Sequence, residues 1–133
     1  MNGRQGIDVH EARIPHRDID ADGRMRASAY VDHAETALAH FWRHRPKGEA
    51  EPDFHTARVS MRLLSPLRLD EVVQLVVTVE KIGGKSVGFS IAVERDGETA
   101  AEIELVRNAV DRETGEPAVL PEDLRDWLYG FLG

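Results

Sequence analysis

Val87, Phe89, Ile91 and Val93 alternate with Gly88, Ser90 and Ala92, the two-residue period of a half-buried β-strand. Asp96-Gly97 follows, a dipeptide suited to a tight hairpin, and beyond it Ala101, Ile103 and Leu105 alternate against Glu102 and Glu104. Val72 to Val79 is a β-branched run, and Lys81-Ile82-Gly83-Gly84-Lys85 reads as the turn that joins it to the next strand. Phe54 to Leu64 is strand-like and is stopped by Ser65-Pro66, while Val9 to Ile14 forms a short first strand. Between these two the period changes. Tyr30, Ala34, Leu38 and Phe41, with Ala37 on the same face, recur at helical spacing. The helix is expected to start near Ser28 as N-cap, with Asp32 and Glu35 in its first two turns. It should run about five turns, with Arg43, His44 and Arg45 at its C-terminal end and Pro46 and Gly48 stopping it.

Gly48 to Pro52 is a loop and Asp111 to Pro117 a turn, after which Pro121 opens a last helix with Leu124, Trp127, Leu128 and Phe131 on its apolar face. The order is strand, helix, four strands, helix. Short connections between the strands make the sheet mainly antiparallel, with a helix on one face, an α+β layered architecture.

At 133 residues the chain is expected to form one domain, able to bury roughly two thirds of its unfolded surface. The absence of cysteine excludes disulfides, zinc-thiolate sites and a thiol nucleophile. Met1 to Pro15 lacks the apolar core of a signal peptide, and no apolar run reaches membrane-spanning length, so a cytoplasmic location and no membrane partner are expected. The formal net charge of −7 argues against nucleic-acid binding and requires a local basic cluster for any anionic ligand.

The densest chemistry lies in Arg17-Asp18-Ile19-Asp20-Ala21-Asp22-Gly23-Arg24, three carboxylates in five residues followed by a glycine and then the helix. A turn ending at a helix N-terminus places unsatisfied N–H groups and the positive end of the helix dipole beside those acids. Acyl-transfer chemistry uses that pairing: one group attacks or activates water while the donors hold the developing oxyanion. An acidic surface turn ahead of a capped helix has the same composition, and these residues alone do not choose between the two, nor among the three acids.

The Asp-x-x-Gly turn with Asp20 and Gly23, then Tyr30, Glu35 and Ala37 on a small-residue helix, resembles the hotdog-fold acyl-CoA thioesterases of the 4-hydroxybenzoyl-CoA thioesterase type. Ser65-Pro66, Asp70-Glu71-Val72 and Gly84-Lys85-Ser86 continue the resemblance, which spans roughly Val9 to Leu128. It implies a five-stranded antiparallel sheet wrapped around one long helix, and hydrolysis of an acyl- or aryl-thioester of CoA or of an acyl-carrier protein, with no metal or redox cofactor. By resemblance Asp20 is the catalytic carboxylate and the backbone N–H near Ala27 polarises the thioester carbonyl. Glu35 would be a supporting acid near the acyl group. Gly23, Met25, Arg26 and Tyr30 would line the substrate site, and Lys85 and Ser86 would meet the CoA phosphates. Asp18 and Asp22 are expected on the other side of the turn, in solvent. Many members carry His-Val-Asn-Asn after the glycine, where this chain has Arg24-Met25-Arg26-Ala27. The side-chain contribution of that motif is therefore missing, while a backbone donor survives. The resemblance also implies a homodimer or homotetramer with shared sites, because a small sheet on one helix leaves an edge strand unpaired.

His40 and His44 have the i, i+4 spacing of paired metal ligands, but no third ligand follows in the sequence, so a solvated helix face is expected. His33, near the first helical turn, is expected to line the pocket. No Gly-x-Ser-x-Gly occurs, and Gly83-Gly84-Lys85-Ser86 lacks P-loop spacing. The Asn-Pro-x-His setting of a hydratase is absent as well. The remaining alternative to an enzyme is a non-catalytic hotdog protein that binds an acyl thioester as a sensor.

Overall fold

The computed structural model describes residues 7–45 and 51–133. The sequence readings on residues 1–6 and on Pro46 and Gly48 lie outside the described residues. Five strands, β1 (Asp8–Arg13), β2 (Asp53–Leu63), β3 (Val72–Ile82), β4 (Ser86–Arg95) and β5 (Glu98–Val110), form one sheet in the order β1-β3-β4-β5-β2. Every neighbouring pair is antiparallel. Helix α1 (Ala27–Trp42) precedes β2 and packs on β1, β3 and β5; α2 (Glu122–Tyr129) packs on β3.

The alternation in β4 does what its period requires. Val87, Phe89, Ile91 and Val93 are all at most 2% exposed, and each such side chain is stabilised by roughly 1.5–3 kcal/mol on leaving water. Asp96 and Gly97 both take positive φ (53° and 82°) at the β4–β5 turn, the conformation that selects Asp-Gly there. On α1 the small residues Ala29, Ala34 and Ala37 are buried with Tyr30, Leu38 and Phe41, so the helix approaches the sheet closely. Among the described residues, no helix is long and apolar enough to cross a membrane.

All four phenylalanines and both tryptophans gather where the end of α1 meets α2. Phe41 is ringed by Trp127, Phe131, Phe89 and Trp42 at centroid distances of 4.8–5.6 Å, and Trp42 stacks on Phe54 and Trp127. Phe131 lies beyond the end of α2, and its carbonyl accepts from the Val79 amide at 2.9 Å, which ties the chain terminus to β3.

Two local expectations are corrected. The helix begins at Ala27 rather than after Ser28, its N-cap is Arg26, and no side chain caps it. It is also 16 residues long, shorter than five turns, because Arg43 and His44 already form a turn beyond its end.

Strand β2 is unlike the other four. Both of its faces are largely open, and Val59 and Leu63 are exposed at 40% and 49%; like β1 it is an edge strand, paired only with β5. An open strand edge carrying apolar side chains is a surface that proteins rarely leave free.

Candidate active site

Ile19 and Met25 pair as an antiparallel bridge, which closes Asp20 to Arg24 into a small hairpin of its own. The Asp20 amide donates to the Arg24 carbonyl at 2.8 Å and the Gly23 amide to the Asp20 carbonyl at 3.1 Å. Gly23 sits at φ +81°, a region that a side chain would strain. The Asp20 side chain completes the turn: its Oδ1 accepts from the Asp22 amide (2.8 Å) and the Arg24 amide (3.1 Å). Oδ2 has no partner among the described residues. The Arg24 amide bond, helped by that of Asp22, holds the carboxyl below its ordinary pKa although partial desolvation opposes this. Asp20 is thus an anion at neutral pH with one oxygen unused.

That oxygen belongs to a residue lining a cavity of about 290 Å³, together with Arg24, Met25, Tyr30 and the Leu63–Pro66 segment at the end of β2. Burial pushes the Tyr30 hydroxyl above its usual range, while the Leu67 backbone and Arg95 pull it partly back. Arg95 organises the far wall. Its guanidinium donates to the Pro66 carbonyl (2.8 Å), to Ser65 Oγ (2.8 Å) and to Glu71 Oε1 (3.0 Å). The sequence reading passed over Arg95, because nothing local marks an arginine at a strand end as the clasp of a loop 30 residues earlier.

The start of α1 follows at once. The Arg26 amide donates to the Asp18 carbonyl and the Ala29 amide to the Arg26 carbonyl, at 2.8 and 3.0 Å. The Ala27 and Ser28 amides have no acceptor among the described residues. They are the free donors of an uncapped helix N-terminus, and they carry its partial positive charge.

The other acids divide differently from expectation. Asp22 is in solvent, 73% exposed, against Arg24. Asp18 is not in solvent: it is buried and its Oδ2 pairs with His33 Nε2 at 2.7 Å. His33 is therefore held by Asp18, and neither residue lines the cavity. A partner 15 positions away in the chain reverses the expectation that Asp18 lies in solvent. Arg26 is engaged as well, its guanidinium donating to the Arg17 carbonyl.

Glu35, Lys85 and Ser86 are not brought to this cavity. Glu35 accepts from Thr56 Oγ1 at 3.2 Å on β2 and lies in the field of Arg107. Arg107, unremarked in the sequence, lines a cavity of about 460 Å³ with Trp42, Phe54 and His55. Its Nε is buried without a partner, and burial lowers its pKa against the opposing charge of Glu35. Lys85 is exposed on a turn that makes three backbone bonds: Gly83 N–H to the Ser86 carbonyl, Leu120 N–H to the Gly84 carbonyl, and Ala109 N–H to the Lys85 carbonyl. Ser86 lines a groove with Arg58 and Lys81.

The sheet, its strand order and the helix laid on it define an α+β fold of the hotdog type. The chain belongs to the thioesterase-like superfamily, whose family model matches residues 14–128. Among solved structures it is similar to a Pseudomonas aeruginosa protein at 20% identity and TM-score 0.84, covering 95% of this chain and 92% of that one. A Staphylococcus aureus protein determined in complex with CoA gives 15% identity and TM-score 0.85, over 96% and 84% of the two chains. A 1,4-dihydroxy-2-naphthoyl-CoA thioesterase from Synechocystis gives 10% identity and TM-score 0.79, over 94% and 95%. Among curated proteins, none matches the sequence.

Proposed function

We propose that this protein hydrolyses an acyl- or aryl-CoA thioester to the free acid and CoA, with Asp20 as the catalytic carboxylate. The observation that carries the reading is the Asp20 carboxylate, its Oδ2 unused, lining a cavity with Arg24, Met25 and Tyr30 just before an uncapped helix. Membership of the thioesterase-like superfamily supports the reaction class, and the CoA bound by the S. aureus protein supports the carrier. The thioester carbonyl would point at the Ala27 N–H, where the helix N-terminus stabilises charge as it develops on oxygen. Asp20 then either adds to the carbonyl carbon, expelling the thiolate and leaving an anhydride that water opens, or takes the proton of an attacking water. Met25 and Tyr30 supply the wall on which the acyl group rests, with Gly23 and Arg26 keeping the turn in place. Glu35, held by Thr56 on β2 outside this cavity, takes no part in this reading. A screen of aryl, short, medium and long acyl-CoAs for thiol release tests the reading. Release with none of them, together with measurable binding, would assign the chain to the acyl-thioester sensors.

Lys85 and Ser86 are our candidates for the CoA phosphates, the Lys85 ammonium having no partner among the described residues. Lys85→Ala is expected to raise KM several-fold and weaken its salt dependence with little change in kcat. The loss corresponds to roughly 1 kcal/mol for one charge-assisted contact. An unchanged KM at low salt would leave the turn purely structural.

The open, apolar edge of β2 leads directly into the Leu63–Pro66 wall of the cavity. Pairing of β2 with a second copy would cover Val59 and Leu63 and complete the site from both chains. At least a homodimer is expected by light scattering at micromolar concentration, and a monomer there would remove this part of the model.

A further inference from the structure

The two histidines whose helical spacing lacked a third ligand acquire one in the fold. Asp8, the first residue of β1, is buried (7% exposed). Its two oxygens face His40 Nδ1 at 3.2 Å and His44 Nε2 at 2.7 Å. One donor atom from each of the three residues lies within 4.8 Å of the others. We propose that Asp8, His40 and His44 form a binding site for a borderline divalent transition metal, zinc above all, which clips the first strand to the end of α1.

Four observations converge on it. Two imidazoles and one carboxylate are a donor set that zinc takes at bond lengths of about 2.0–2.2 Å, which sets tetrahedral donors about 3.3–3.5 Å apart. The Asp8–His40 separation of 3.2 Å is already close to that value. His44 Nε2, 2.7 Å from Asp8 Oδ1, must move outward by less than about 1 Å to reach that spacing. The exposures are graded, with Asp8 inside, His40 at 35% and His44 at 50% of their side chains, so water reaches the position a fourth ligand takes. No lysine or arginine pairs with Asp8 among the described residues, and a buried carboxylate calls for a compensating cation. The site also lies at the C-terminal end of α1, where the helix dipole favours positive charge. Beside it, His10 is two residues along β1 from Asp8, on the same face of the strand. Its ring stands 4.9 Å from that of His40.

The site is independent of the thioesterase reading and is tested without an activity assay. Chelator-stripped, tag-free protein is titrated with zinc by calorimetry and by thermal melting, and with cobalt(II) by visible absorption. Binding of one zinc per chain, a melting temperature that rises to saturation, and a low-symmetry cobalt spectrum are expected. His44→Ala removes a half-exposed side chain and Asp8→Asn keeps the buried shape. Each should weaken zinc binding at least ~10-fold and abolish the cobalt band. If Asp8→Asn does not fold, His44→Ala alone decides. No binding by the wild type at a large molar excess of zinc would overturn the proposal. So would unchanged affinity in His44→Ala, since zinc would then be held by other histidines and the cluster would be a hydrogen-bonded one only.

Discussion

Asp20→Asn is expected to lower kcat by at least ~10²-fold, the scale of a lost nucleophile or general base. The substitution is clean because of how the side chain is held. Asparagine retains an Oδ1 that accepts from the Asp22 and Arg24 amides, so the turn and the cavity wall persist. What disappears is the anionic Oδ2. Substrate affinity should survive or tighten as a charge near the polarised carbonyl is removed. Asp22→Asn, at a side chain in solvent, should retain most of the activity. Asp18→Asn is a different experiment, since it disturbs a buried pair with His33, and its effect should fall on stability first. The pH profile checks the same assignment. Because two backbone amides hold the Asp20 carboxyl below its ordinary value of 3.8, the acid limb of kcat/KM should lie below that pH. The sign for stability agrees: a depressed folded-state pKa contributes above the unfolded value and is lost as pH falls through the folded one. Wild-type rates for Asp20→Asn in folded protein, with all substrates, would end the catalytic reading.

The second large effect is on the fold. Phe41→Ala is expected to destabilise by about 3–5 kcal/mol, the range for emptying a buried aromatic site. Phe41 is 0% exposed and touches Trp42, Phe89, Trp127 and Phe131, rings on four different segments, which leaves no single neighbour free to collapse into the gap. Edge-to-face pairs such as that with Phe131, at 4.8 Å and 76°, add to the area term. Urea denaturation with an unchanged m-value measures it. A loss below ~1 kcal/mol would mean that the aromatic cluster does not anchor α2 and the chain terminus to α1 and the sheet.

The strands, the helix face and the β4–β5 hairpin were legible in the sequence because each depends on neighbours within a few positions. Val87 to Val93 alternate whatever lies above them, and Asp96-Gly97 supplies positive φ locally. The Asp20 turn was legible for the same reason: Asp20, Asp22, Gly23 and Arg24 satisfy one another. The choice of Asp20 over Asp18 and Asp22 came from family resemblance; the structure shows its Oδ1 engaged in the turn and its Oδ2 without a partner among the described residues. The helix start was misread, since Ser28 has the chemistry of a cap but Arg26 occupies the capping position without using its side chain.

The amino-acid sequence by itself determined the α+β class, the order of elements and the acid-rich turn before a small-residue helix, all of which follow from local periodicity and turn chemistry. Only the tertiary structure decided which polar groups meet. Asp18 finds His33 at 15 positions' distance, and Asp8 finds His40 and His44 at 32 and 36. It also decided that Arg95 clasps the Ser65-Pro66 wall and that β2 is left with an open apolar edge. Such pairings depend on strand order and on how the helix is laid across the sheet. Those are set by the summed burial of many side chains and carry no signature at any one of them.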